Sequence, residues 1–199
     1  MARIGCYPGS FDPPTVAHLA VAAAARDQHG LDRVDLVVSR VPLGKATVLR
    51  PRFDHRIAVL EAVAARVGWL EVVVSDHRYV ADLAEGYDVV VMGADKWAQV
   101  LDPVFYAGSA AARDASVARL PTVAVAPRGV EEGGDPPPGT LRTPSGLTVD
   151  EAHRHVSSTA ARGGRRDLMV AEAIAFDERT GAWTDPARYD AWLATDPDF

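Results

Sequence analysis

The chain has 199 residues, 48% hydrophobic and 24% charged, which suits one well-buried domain and excludes a disordered chain. Its net charge of −6 argues against non-specific nucleic-acid binding, which needs a basic face. With Cys6 as the single cysteine, no intrachain disulfide can form. That fits a reducing compartment, and Cys6, inside an apolar run, reads as a small buried hydrophobe.

In chain order, residues 1–7 hold no apolar core of signal-peptide length, and residues 4–7 read as a first short strand. Residues 16–28 read as a helix ended by Gly30. Its Ala-rich part is too short to span a bilayer and contains His18, so the expectation is a cytoplasmic protein with no membrane partner. Residues 34–39 are nearly all apolar, as a strand buried on both faces should be. Residues 52–67 follow a helical period through Ile57, Leu60, Val63 and Ala64. Residues 70–75, 87–92 and 122–126 read as three more buried strands. Residues 128–146, with the run Pro136-Pro137-Pro138, read as a long loop and not a domain linker. The tail carries a helical stretch to about Phe176, a turn at Thr180-Gly181, and a last helix around 186–193.

Strand and helix in alternation predict right-handed crossovers. The expected fold is α/β: a Rossmann-like doubly wound parallel sheet in a single domain. Its core covers about 2–165, with a C-terminal helical extension over 166–199. Ligands in such a sheet bind beyond the carboxyl ends of the strands, where strand order reverses. The first strand-to-helix loop is therefore where chemistry is expected.

That loop reads Tyr7-Pro8-Gly9-Ser10-Phe11-Asp12-Pro13-Pro14-Thr15-Val16-Ala17-His18. Gly9 removes a Cβ from the path of a ligand, and Thr15 is an N-cap that puts His18 in the first helical turn. A helix N-terminus with a histidine beside it suits a phosphate. Further on, Ser157-Ser158-Thr159-Ala160-Ala161-Arg162 offers hydroxyls and a guanidinium one turn apart, a polyphosphate cradle in composition. Gly44-Lys45 is no P-loop, because Ser39 stands where that motif needs glycine. His153 and His155 alternate as on one strand face, but with no third ligand no metal set is assigned.

The first loop resembles the T/H-x-G-H signature of the nucleotidyltransferase superfamily, with Ala17 where its glycine usually stands. The run at 156–162 resembles the same superfamily's I-S-S-T-x-x-R motif. The string YPGSFDP is similar to phosphopantetheine adenylyltransferases. GSFDPPTxxH is similar to nicotinate and nicotinamide mononucleotide adenylyltransferases, and so is Lys45 followed by Asp54-His55-Arg56. Gly93-Ala94-Asp95 resembles the family's G-A-D.

The resemblance implies an adenylyltransferase that moves AMP from ATP to a small phosphorylated acceptor, most like nicotinate or nicotinamide mononucleotide, and releases pyrophosphate. It implies His18, Lys45 and Arg162 as the catalytic cations. Nucleotide contacts fall on Gly9, Ser10, Phe11, Thr15, His18, Gly93, Asp95, Ser157, Ser158, Thr159 and Arg162. Acceptor contacts fall on Lys45, Arg56 and Trp97. Mg²⁺ is expected mainly on the nucleotide phosphates, without a protein metal site. Phosphopantetheine as acceptor, CTP as donor, and a non-catalytic nucleotide binder stay open. So does a homo-oligomer. The R-T-x-G-I-S-T-T form common in cytidylyltransferases is missing, which favours ATP.

Overall fold

The computed structural model describes residues 1–43, 50–127 and 144–195. Six parallel strands form one sheet: β1 (Ile4–Pro8), β2 (Arg33–Ser39), β3 (Leu70–Ser75), β4 (Val89–Gly93), β5 (Thr122–Ala126) and β6 (Ser145–Gly146), in the order β3-β2-β1-β4-β5-β6. This is the doubly wound order in which successive strands run outward from β1 on one side and from β4 on the other. The five strands expected from the sequence are all present. The sixth, β6, is the far end of the expected 128–146 loop, which pairs with β5. Residues 128–143 lie outside the described residues.

Among the described residues, each of the strands β1 to β4 leads into a helix: α1 (Val16–His29), α2 (Phe53–Val67), α3 (Val80–Leu83) and α4 (Ala94–Leu101), with α5 (Ala110–Ala118) between α4 and β5. Four follow β6: α6 (Glu151–Arg154), α7 (Ser158–Arg162), α8 (Ala171–Thr180) and α9 (Pro186–Thr195). Glycine ends α1 at Gly30 and α2 at Gly68, each with positive φ, the backbone that glycine adopts without a Cβ penalty.

The strands alternate strictly between two cores, as a period of two requires. Tyr7, Val34, Leu36, Val38, Val89 and Val91 pack with α1, α2, α8 and α9. Cys6, Val37, Val90, Met92 and Val123 pack with α3, α4 and α5. Cys6 is fully buried, and burial, followed by nearby Asp35, pushes its thiol well above the ordinary value, which suits an inert core residue. Asp35 is the charged exception inside β2. It ion-pairs with Arg33 (2.7 Å) and accepts the Tyr87 hydroxyl (2.9 Å).

The tail is not an appendage. Phe176, Trp183 and Tyr189 belong to the first core. Buried Asp177 organises the turn after α8: its carboxylate accepts the Trp183 amide (2.8 Å), the Thr184 amide (3.0 Å), the Thr184 hydroxyl (2.6 Å) and Arg166 Nε (2.7 Å). Tyr189 reaches back to α2. Its hydroxyl accepts the Arg52 amide (2.9 Å) and lies 2.6 Å from His55 Nδ1.

Burial alone would raise the Asp177 carboxyl. The bonds from Thr184, the Trp183 amide and Arg166 outweigh it and hold the group below the ordinary carboxylate range. A carboxyl lowered by folding stabilises the fold fully above its unfolded pKa, about 4, and that contribution is lost as pH falls through the lower folded value. Asp177→Asn should cost on the order of 1–3 kcal/mol at neutral pH. Urea unfolding at neutral pH and again below the carboxylate range checks this: wild type should lose more stability on acidification than the variant.

Candidate active site

The crossovers diverge between β1 and β4, so a cleft opens at the carboxyl ends of these strands. Its floor is the β1–α1 loop, with Gly93 and Asp95 on one side and Ser39, Leu43 and Arg78 on the other. Residues 153–162 form its roof. Gly9, Ser10, Phe11, Thr15, His18, Gly93, Asp95, Ser157, Ser158, Thr159 and Arg162 all line this one cleft. The two segments read as phosphate binders, far apart in sequence, therefore face the same space.

The loop is built around Phe11. Its ring is buried and meets Tyr7 edge-on (5.5 Å) and His18 edge-on (5.1 Å). A Cβ on Gly9 would come within 2.7 Å of that ring. Gly9 is thus required by the loop's own packing. Phe11 has φ +45°, a conformation that non-glycine residues seldom take.

Thr15 caps α1 as expected. His18 occupies the third helical position, where a capping box usually places Glu or Gln. Its Nδ1 accepts the Thr15 amide at 2.9 Å. That bond puts the proton of the neutral imidazole on Nε2, so the ring offers a hydrogen-bond donor by its tautomer. The 14-residue α1 also supplies a helix dipole. The five-residue α7 contributes little dipole.

Around α7 the work is divided. Ser157 Oγ accepts the Ala160 amide (3.1 Å) as a cap, and Ser158 Oγ donates to the Pro13 carbonyl (2.8 Å), tying roof to floor. Arg162 is held from two sides. Nη1 donates to the Asp12 carbonyl and lies 3.4 Å from Asp12 Oδ2, while Nη2 lies 3.3 Å from Thr159 Oγ1. Its guanidinium is partly exposed.

Two expected acceptor residues do not line the cleft. Trp97 is 7% exposed and packs in the second core on α4; the apolar face of that helix takes the ring inward, away from stacking on a ligand. Arg56 is 5% exposed on α2 and donates from Nη1 to the Ser10 carbonyl at 3.0 Å. It supports the loop from behind. Lys45 lies outside the described residues. His153 and His155 fall on the short helix α6 and its cap, not on a strand.

Sequence reading missed Asp12, Arg78, His153 and Arg154, all of which line the cleft. Arg78 follows β3 directly, at the strand end where ligands gather, and that position was the available signal. The strand ends beneath it are tied together: Ser39 Oγ donates to the His77 carbonyl (2.7 Å) and the His77 amide to Ser75 Oγ (3.1 Å). Among the described residues Arg78 has no hydrogen-bond or ion-pair partner.

Comparison with known proteins follows the same lines. The family model for cytidylyltransferase-like proteins matches residues 6–164. A probable nicotinate-nucleotide adenylyltransferase of Salinibacter ruber is 43% identical over 58 residues, 29% of this chain and 30% of that protein. One of Albidiferax ferrireducens is 36% identical over 89 residues, 45% of this chain and 43% of its own length. The chain thus spans less than half of the curated relatives it matches. The Plasmodium falciparum nicotinic acid mononucleotide adenylyltransferase complexed with NaAD superposes with a TM-score of 0.65 at 16% identity, covering 90% of this chain and 96% of that one, a likeness of fold. With the family model matched across both cleft-lining motifs, the chain belongs to the cytidylyltransferase-like family.

Proposed function

We propose that the protein transfers AMP from ATP to nicotinate mononucleotide and releases pyrophosphate. The observation that carries this is the meeting of the β1–α1 loop and the 157–162 segment on one cleft at the strand-order reversal. The names of the relatives supply the acceptor. In this reading the acceptor phosphate oxygen attacks the α-phosphorus of ATP. A P–O bond forms there as the bond to the β-phosphate breaks, and the electron pair leaves on pyrophosphate.

A phosphomonoester is largely ionised at pH 7, since its second pKa is near ~6, so the attack needs no general base. What it needs is alignment and compensation of charge. His18 would donate from Nε2 to the α-phosphate. Arg162 and the Thr159 hydroxyl would take the leaving pyrophosphate. Lys45, outside the described residues, is proposed to contact a substrate phosphate. Arg78, on the β3 side, would take an anionic group of the acceptor.

Among the described residues no cluster of three or more His, Cys, Asp and Glu is placed to hold a metal. A Mg²⁺ ion carried mainly by the nucleotide phosphates would offset charge on the pyrophosphate. A cytoplasmic setting fits a consumer of ATP. Among the described residues no helix is long and apolar enough to cross a membrane.

The test is pyrophosphate release with ATP or CTP against a panel of acceptor phosphates that includes nicotinate mononucleotide, nicotinamide mononucleotide and phosphopantetheine. Turnover with nicotinate mononucleotide and ATP is expected. ATP binding with no turnover on any acceptor would overturn the catalytic reading, and preference for another acceptor would overturn the substrate.

His18→Ala should keep the fold and lower turnover by on the order of 10²–10³, as loss of one transition-state donor does; near wild-type kcat would reduce His18 to a capping residue. Arg78→Ala should raise KM for the acceptor by roughly 10–100-fold, the loss of a charged hydrogen bond, and leave KM for ATP nearly unchanged. An equal rise in both would contradict an acceptor-side role.

A further inference from the structure

The family match ends at residue 164, yet the tail beyond it touches the cleft loop at three places. Trp183 Nε1 donates to Asp12 Oδ1 at 2.9 Å. The Val170 amide donates to the Pro14 carbonyl at 3.2 Å. Met169 forms an isolated antiparallel bridge with Thr15. Asp12 is the junction of these contacts, because its other carboxylate oxygen and its carbonyl face Arg162.

Trp183 is 4% exposed and cannot touch a substrate itself. Its amide is fixed by buried Asp177, whose other oxygen holds Arg166 and Thr184. The indole is fixed by its edge-on contact with Phe176 (5.8 Å). A rigid donor therefore grips one oxygen of Asp12 and sets the direction of the other.

We propose that Trp183 is a positioning residue: through Asp12 it sets the place of Arg162, and so the C-terminal extension orders the nucleotide side of the cleft. The inference rests on the proposed role of Arg162 as a triphosphate ligand. An arginine held in place before the ligand arrives loses less side-chain freedom on binding. Trp183 thus acts on ATP through Arg162 and hardly on the acceptor.

The experiment is a double-mutant cycle on the full chain with Trp183→Phe and Arg162→Ala, reading KM for ATP, KM for the acceptor, kcat, and ATP affinity by calorimetry. Phenylalanine keeps the buried ring and removes only the N–H. Trp183→Phe is expected to raise KM and Kd for ATP on the order of 10-fold, the size of coupling between contacting groups. In the Arg162→Ala background the same change should add less than about 2-fold. A fully multiplicative effect of the two changes would overturn the inference while leaving Arg162's own role standing. If Arg162→Ala alone leaves ATP binding unchanged, the functional reading fails and the inference falls with it.

Asp12→Asn is the second variant, in case Trp183→Phe does not fold. It retains an acceptor for the indole but removes the charge that faces Arg162. It should also raise Kd for ATP, and should add nothing further to Arg162→Ala. Wild-type ATP affinity in Asp12→Asn would sink the relay through Asp12.

Discussion

The constraint on which the site depends is the reversal of strand order between β1 and β4. Crossovers leave β1 in one direction and β4 in the other, so the loop after β1 has no adjacent crossover to lean on. Such a loop must be held by residues distant in sequence. Ser10 is held by Arg56, Asp12 by Trp183 and Arg162, Pro13 by Ser158, and Pro14 by Val170. The reversal that opens the cleft also demands this scaffold. Loop order and cleft geometry are consequently one property of the fold.

The electrostatic design follows from the same economy of place. A chain of net charge −6 that acts on polyphosphates, as proposed, needs its cations where the anions sit, and little positive field elsewhere. Arg162, Arg78, Arg154 and Lys96 all line the cleft. Arg162 is partly offset by Asp12. That pairing keeps the guanidinium in position without a ligand, and the partial exposure of the group leaves donors for one.

Much of the fold was readable because buried parallel strands have a strong signal. The runs at 34–39, 70–75 and 122–126 are mostly apolar, and β2, β3 and β5 fall at those positions. β3, expected to be buried, is instead the edge strand and leaves Glu71 and Val74 exposed, because no further strand pairs beyond it among the described residues. β6 was not readable, since two residues, Ser and Gly, carry no strand pattern and pair only because β5 presents an edge. The loop and the 157–162 run stood out as candidate phosphate binders, since glycine, hydroxyls and a cap have local meaning, and the structure places both on one cleft. Arg56 and Trp97 went the other way. Their sequence context suits a ligand contact, and tertiary packing turned one behind the loop and the other into the core. No local pattern distinguishes these outcomes, because the direction of a side chain on a helix is decided by what the helix packs against.

The two histidines near helix starts show the same rule at the level of one atom. His18 and His55 both stand close to the beginning of a helix. His18 presents Nδ1 to a backbone amide, which fixes Nε2–H as its donor, and it lines the cleft. His55 is buried, with Nδ1 against the Tyr189 hydroxyl and its ring among Phe176, Tyr189 and Trp192. One imidazole is held at the cleft and the other against the tail. Because the tail also grips Asp12, the packing around His55 and the chemistry offered beside His18 are joined through one set of aromatic residues. Packing of the C-terminal helices and placement of the cleft loop are thereby linked, although among the described residues the tail contributes no group that lines the cleft.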